Sequence, residues 1–469
     1  MYIPLSRKLA HDFKIVHVAY SGHEQAKLRA AGITDGVINF KHEVAARLAL
    51  GGGPDPALLE RIDALFVAQT EGRFTLNGSI QSDRGFSLLG TDEALVLCQA
   101  YYAVWDEILV RHAVDYVMHE PVSLLMNHMC SVLCAKYGAL YLFQVMTLGK
   151  PGQLSYLNIT GDDYVCPEIN AAHARYAGAP ALIDRARCEQ FLDKFRSSFN
   201  IFLGDTVKPT TSYLGLYLRS VKHRVKRMLH MSKLDRMTDN IDYWEMTQDA
   251  GMQRLDNMRQ YKRRISYDAF VPAASYYYYS MHLEPEAVVL YLAGGWYANQ
   301  TKLIENIAAQ LPIGCLLYVK DHPHVIGYRS VADYERLQAV PNVKLLEPTI
   351  PGKLVMKDAI GVFTINGTAG FEGVLLNKQV YTFGNTFYGA CARVHHVRHI
   401  RELRALLYAE RAVRHADDDT LMAFVMAYLD SVHEGMVDYF VGRAASYGID
   451  LDRNIDNIAR DLVAFSKKF

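Results

Sequence analysis

Along the chain, short apolar runs alternate with stretches whose apolar residues recur at three- and four-residue steps. Residues 13–20 (FKIVHVAY) predict a first buried strand that ends in Ser21-Gly22 and passes into a helix over about 24–31. Helical spacing returns over 56–69 and, at greater length, over 91–114. Residues 115–119 form a short strand segment with Glu120-Pro121 at its C-terminal end, 124–137 are helical in pattern, and 140–145 are again strand-like until 149–152 interrupt them. From residue 288 the rhythm resumes with VVLYLA, a helix over 301–310, LLYV, VKLL, IGVFTI, a helix over 368–376, and QVYTF. This alternation predicts an α/β chain of doubly wound parallel sheets with helices on both faces.

Residues 211–267 break the pattern. They are helical in spacing and poor in strand formers, and residues 219–236 hold seven Lys/Arg against one acid, Asp235. The predicted organisation is therefore a Rossmann-like domain over 1–268 that carries this helical basic segment, and a second over 269–416. Helices of 417–469 then pack back on the first domain.

Composition narrows the classes. At 469 residues the chain exceeds one ordinary domain, and 50% apolar against 21% charged residues excludes a disordered chain. Fifty Lys+Arg balance fifty Asp+Glu, which leaves no basic field for nucleic acid. Arg7, Lys8, Asp12 and Lys14 interrupt the opening residues, against a secretory signal. The most apolar window, 122–148, contains Asn127, His128 and Lys136 and reads as a buried helix–strand pair instead of a membrane span. Seven Cys without CxxC spacing, with Cys130 and Cys134 on one helix face, read as core residues in a reducing cytoplasm.

The sharpest chemical signal is IGVFTINGTAGFEGVLL (360–376). A strand runs into Asn366-Gly367-Thr368-Ala369-Gly370 and directly into a helix, so small residues admit a ligand to the backbone and the helix N-terminus offers N–H groups to an anion. Thr368 would add a hydroxyl, and Glu372 could accept from ribose hydroxyls. The plainer reading is a βα turn with Thr368 as N-cap. In VKDHPH, Pro323 fixes the backbone while Lys320 and His322 put donors at a strand mouth. In YYYYSMHLEPE, His282, Glu284 and Glu286 end an aromatic run and could do acid–base work or simply satisfy one another. Asp83-Arg84 and His119-Glu120 offer carboxylates at strand or turn ends, or else a local ion pair and a helix-start acid. No metal is expected: Asp162-Asp163 and Asp417-Asp418-Asp419 read as solvated loop or helix-start acids.

HLEPE (282–286), GGWYANQTKLIENIAAQLP, VKDHPH and FTINGTAGFEGVLLNKQVYTFG, in that order, resemble the capsule polysaccharide biosynthesis glycosyltransferases, including the β-Kdo transferases, over about 278–388. SDRGF (82–86) and DYVMHEP (115–121) look similar in the first domain. The resemblance implies a GT-B architecture, two Rossmann-like domains facing a central cleft with extra helices between. It also implies a donor in which cytidine monophosphate (CMP) activates a 3-deoxy-ulosonic acid (Kdo or a nonulosonic acid), with no cofactor beyond that donor. By the same resemblance His322 and Thr368 hold the donor phosphate, Glu372 serves the ribose, and His282 and Glu286 lie near the reacting centre.

Some β-Kdo transferases carry an aspartate nucleophile in an EDG-type segment. This chain has MTLGKPG there, which turns attention to Glu120 first and Asp83 second. Arg84, Lys320 or a helix N-terminus could hold the sugar's own carboxylate. The implied partner is a glycan or glycolipid acceptor. The basic stretch, read from its own residues, could rest on an anionic inner-membrane surface or be an ordinary amphipathic helix with a solvated basic face. A UDP-dependent 2-epimerase and a non-catalytic sugar-nucleotide-binding subunit are the competing readings.

Overall fold

The computed structural model describes residues 2–148, 154–159, 161–197, 213–229, 233–238, 252–322, 327–410, 418–435 and 450–467. By packing, the chain divides into two units, one of Met1–Gly161, His230–Tyr243 and Val432–Phe469, the other of Asp162–Leu229 and Trp244–Ser431. The division thus falls at Gly161 and not at 268. The predicted tail is split as well: the helix Asp419–Ser431 packs on the helix Pro167–Gly178 of the second unit, while the helix Leu451–Ser466 packs on the helix Tyr2–Leu9 of the first. The α/β class with parallel sheets holds.

In the first unit, β1 (His17–Ala19) pairs in parallel with β2 (Val37–Asn39). A second sheet sets β3 (Tyr116–Met118) parallel to β4 (Leu140–Leu148), but β5 (Leu154–Asn158) runs antiparallel to β4. This unit is therefore mixed where the sequence predicted a doubly wound parallel sheet. A strand of nine residues followed closely by one of five favours return pairing over a crossover. The predicted long helix is Thr91–His112. Its Tyr101 and Trp105 rings lie 5.7 and 4.8 Å from that of Phe40, and the Trp105 indole donates to the Met126 carbonyl at 2.9 Å. The apolar window folds as the predicted pair, the helix Leu125–Tyr137 and then β4, and Cys130 and Cys134 are buried free thiols.

The second unit is built on β6 (Tyr276–Ser280), β7 (Leu316–Lys320), β8 (Val343–Leu346), β9 (Gly361–Thr364), β10 (Gln379–Thr382) and β11 (Val394–His396). All are parallel and ordered β11-β10-β9-β6-β7-β8. The tetra-tyrosine run is the central strand. Tyr277 and Tyr279 pack with Leu317, Val319 and Phe363 on one face, against Ile304, Tyr334 and Leu403 from helices. The apolar run VVLYLA, predicted as a strand, instead makes a short helix Ala287–Leu290 and a turn, because Gly294 and Gly295 adopt left-handed φ of 68° and 70°. Among the described residues, no helix is long and apolar enough to cross a membrane.

Candidate functional site

Strand order reverses between β6 and β9, and a crevice opens beyond the carboxyl ends of strands at such a point. His282 follows β6 and the glycine turn follows β9, so the topology itself brings two of the predicted segments together. The His282 Nε2 is 3.2 Å from Thr364 Oγ1, and the same hydroxyl accepts the Gly367 N–H at 3.1 Å. Gly367 is the N-cap of the helix Thr368–Leu375, and no side chain caps that helix. Thr368 is therefore its exposed first residue and not the predicted cap, which leaves its hydroxyl at the helix start.

The small residues of the turn have distinct jobs. A Cβ on Gly367 would stand 2.6 Å from His282 Cε1, and one on Gly370 would run into the Tyr388 hydroxyl, which donates to the Gly367 carbonyl at 2.7 Å. Asn366 is buried, and its Oδ1 has no protein partner. Ala369 is half-buried at the start of the helix.

A network that the sequence did not disclose holds the histidine segments. Gln300 accepts the His282 N–H at 2.7 Å and donates to the His282 carbonyl at 3.1 Å and to Glu284 at 2.6 Å. Arg329, whose side chain is 2% exposed, pairs with Glu284 and, at 2.9 Å, with Asp321, and it donates to the His282 carbonyl at 3.3 Å. Asp321 also accepts from the Tyr334 hydroxyl and from the His322 backbone N–H, both at 2.7 Å. One buried guanidinium thus ties the ends of β6 and β7 together. His322 is half-buried, and its charge bears on His282. Pro323 lies outside the described residues.

On the sheet face of Tyr278, Lys320 donates to the Pro348 carbonyl at 3.3 Å, and its ammonium and that of Lys353 act on Glu372. Burial raises the Glu372 pKa, opposed by Lys353 and Lys320, while burial lowers that of Lys320. Lys353 is a cation that sequence reasoning missed. Glu284 is pushed up by burial, with Arg329 pulling the other way.

Burial, and then the nearby His322 and Arg329, lower the His282 pKa to about 4. The ring is neutral near pH 7, so the 3.9 Å approach of Glu286 to its Nδ1 is a polar contact and not an ion pair. A depressed histidine means that the unfolded chain binds a proton between pH 6.5 and 4 while the native chain does not. Stability therefore falls as pH drops across that window, by up to about 3 kcal/mol. Urea titrations from pH 7 to pH 4 should show this slope, and His282→Gln should flatten it.

In the first unit, Asp83 is committed to structure. Its oxygens accept the Gly85 N–H at 2.7 Å and the Leu125 N–H at 2.6 Å, so it caps the helix Leu125–Tyr137. Burial raises its pKa against those bonds, and the adjacent Arg84 also lowers it. Glu120 follows β3 beside His119, whose Nδ1 accepts the Glu120 N–H at 2.7 Å. The residue is exposed overall, yet desolvation of its carboxyl and the charge of Glu24 raise its pKa. Asp162 and Asp163 are buried, against the solvated reading, and Asp163 accepts from Asn385 at 2.8 Å. Asp418 does start the helix Asp419–Ser431 as expected, accepting the Leu421 N–H at 3.0 Å.

The glycine turn, Arg329, Gln300 and Lys353 all lie inside one recognisable domain. Residues 284–423 match the family of capsule polysaccharide biosynthesis proteins. That span is under a third of the chain and contains β7 to β11, with His282 just ahead of it. No curated protein sequence matches the chain.

Among solved structures, the chain is similar to the beta Kdo 2,4 transferase of Thermosulfurimonas dismutans KpsC. The identity is 16%, with 74% of this chain and 86% of that one covered, at a TM-score of 0.32. The beta Kdo 2,7 transferase of the same protein gives 9% identity, 78% and 89% coverage and a TM-score of 0.34. The UDP-GlcNAc 2-epimerase of Methanocaldococcus jannaschii gives 11%, 73% and 82%, and 0.27.

Proposed function

We propose that the chain is a cytoplasmic glycosyltransferase that moves a 3-deoxy-ulosonic or nonulosonic acid from a CMP-activated donor to a surface-polysaccharide acceptor. The observation that carries this reading is the joint His282–Thr364–Gly367 at the switch point, beneath a helix start that no side chain caps. In this reading the amides opening Thr368–Leu375 and the imidazole of His322 take the donor phosphate. As the glycosidic bond breaks, charge grows on the departing CMP, and fixed N–H donors meet it without a metal. Lys320 or Arg84 would hold the sugar carboxylate as a charge-assisted pair. Glu372, flanked by Lys320 and Lys353, would take a ribose hydroxyl.

We assign the acceptor's proton, or the attack on the anomeric carbon, to Glu120 in preference to Asp83. The raised pKa of Glu120 suits proton transfer, whereas the oxygens of Asp83 are held by backbone N–H groups. Glu286 and neutral His282 would line the reacting centre. The test is calorimetry with CMP against UDP, joined to transfer assays from CMP-Kdo in the presence of a chelator. CMP should bind at least tenfold more tightly, and Glu120→Gln should lower transfer by about 100-fold or more at unchanged CMP affinity. Preferential UDP binding would overturn the donor, and full activity in Glu120→Gln would overturn the base.

A further inference from the structure

The described side chains of the helix Tyr213–Leu229, in the second unit, are little used in packing. This helix meets the helix Met252–Arg264, and among its described side chains Ser220 alone is buried. Leu214, Tyr217, Leu218, Val221, Val225, Met228 and Leu229 are all exposed, between 45% and 78%. Their three- and four-residue spacing gathers them on about a third of the helix circumference, the width of an ordinary core-facing stripe. Among the described residues it faces no core. At 3.6 residues per turn Lys222 borders this stripe on one side and Arg224 on the other, with Arg219 and Lys226 behind. The helix carries five Lys/Arg and no acidic residue.

We propose that this helix is a membrane-surface site. It would lie in the plane of an anionic bilayer with the apolar stripe at the acyl boundary and the basic residues among lipid phosphates. Charge selects this occupant. A second copy of the chain would bring five like charges against five, whereas an anionic lipid surface matches them. Tyr217 suits the headgroup level, where a ring can bury and its hydroxyl stay wet. The proposal is independent of the nucleotide reading, since none of these residues takes part in the His282–Arg329 network.

The test uses the full chain without nucleotide, sedimented with vesicles of phosphatidylglycerol or of phosphatidylcholine. Phosphatidylglycerol should retain the protein at least tenfold better, with the advantage shrinking as salt rises. The double variant V221E/V225E and, separately, K222E/R224E should each lower partition at least tenfold, with unchanged far-UV circular dichroism. As a second readout, Tyr217→Trp should shift its emission to the blue on phosphatidylglycerol vesicles only. Equal binding to both lipids, or V221E/V225E binding like the parent, overturns the proposal. So does an oligomer that V221E/V225E converts to monomer while vesicle binding persists, which would mark the stripe as a self-association face.

Discussion

Arg329→Met should lower the stability of the second unit by about 3–5 kcal/mol and loosen both histidine segments at once. The side chain is 2% exposed, as is that of Asp321, and Glu284 is its other partner. Taking away the guanidinium leaves two carboxyl groups facing each other in a poorly solvated space. The loss reflects that stranded charge more than the intrinsic worth of the pairs. A cycle with Asp321→Asn should therefore recover part of the loss, because the second change removes one of the stranded acids. Arg329→Lys should recover less, since a single ammonium cannot serve Asp321, Glu284 and the His282 carbonyl with separate donors. Urea denaturation of the three variants measures the stabilities. A Met variant within 1 kcal/mol of the parent would mean that the carboxylates are solvated or protonated and the network is incidental. Nucleotide affinity should fall with stability here, because Asp321 orients the His322 backbone and Arg329 holds the His282 carbonyl.

That network shows where sequence reading stopped. Short, mostly apolar runs located β7, β8, β9 and β10, since a strand buried on both faces needs little more than such a run. The same rule misread VVLYLA, whose apolar residues enter the core from a short helix and a turn, and only Gly294-Gly295 hinted at it. The glycine turn and His282 stood out because small and polar residues are unusually dense there, and the structure brings the two segments together through Thr364. Arg329, Gln300 and Tyr334 carry no local mark. Their meaning arises when β6 and β7 lie side by side and bring Glu284 within reach of a residue 45 positions away. Asp83 illustrates the opposite case. A carboxylate at a turn end stood second only to Glu120 as a catalytic candidate, and the structure gives one of its oxygens to the Gly85 amide and the other to the Leu125 amide, at the start of a helix 42 residues later.

Gly367→Ala should cut transfer by about 100-fold, the scale expected when a reacting assembly shifts by an ångström. The added methyl would sit 2.6 Å from His282 Cε1 and 3.2 Å from Thr364 Oγ1. His282 cannot simply swing aside. Its backbone is pinned on both sides by Gln300, and its ring is packed in a buried site. Either the imidazole leaves Thr364 or the turn moves outward, and both outcomes displace the helix N–H groups assigned to the phosphate. Gly370→Ala attacks the same turn from the other side, by displacing the Tyr388 hydroxyl from the Gly367 carbonyl. Gly352→Ala is the control, because its methyl would meet nothing closer than 3.4 Å. The pattern to look for is a large loss of CMP affinity at 367 and 370 and none at 352, with the 367 and 370 variants destabilised by about 1–3 kcal/mol yet still folded in the assay. Equal affinities across the set would separate the turn from the nucleotide and leave the family likeness of residues 284–423 without a phosphate site at its centre.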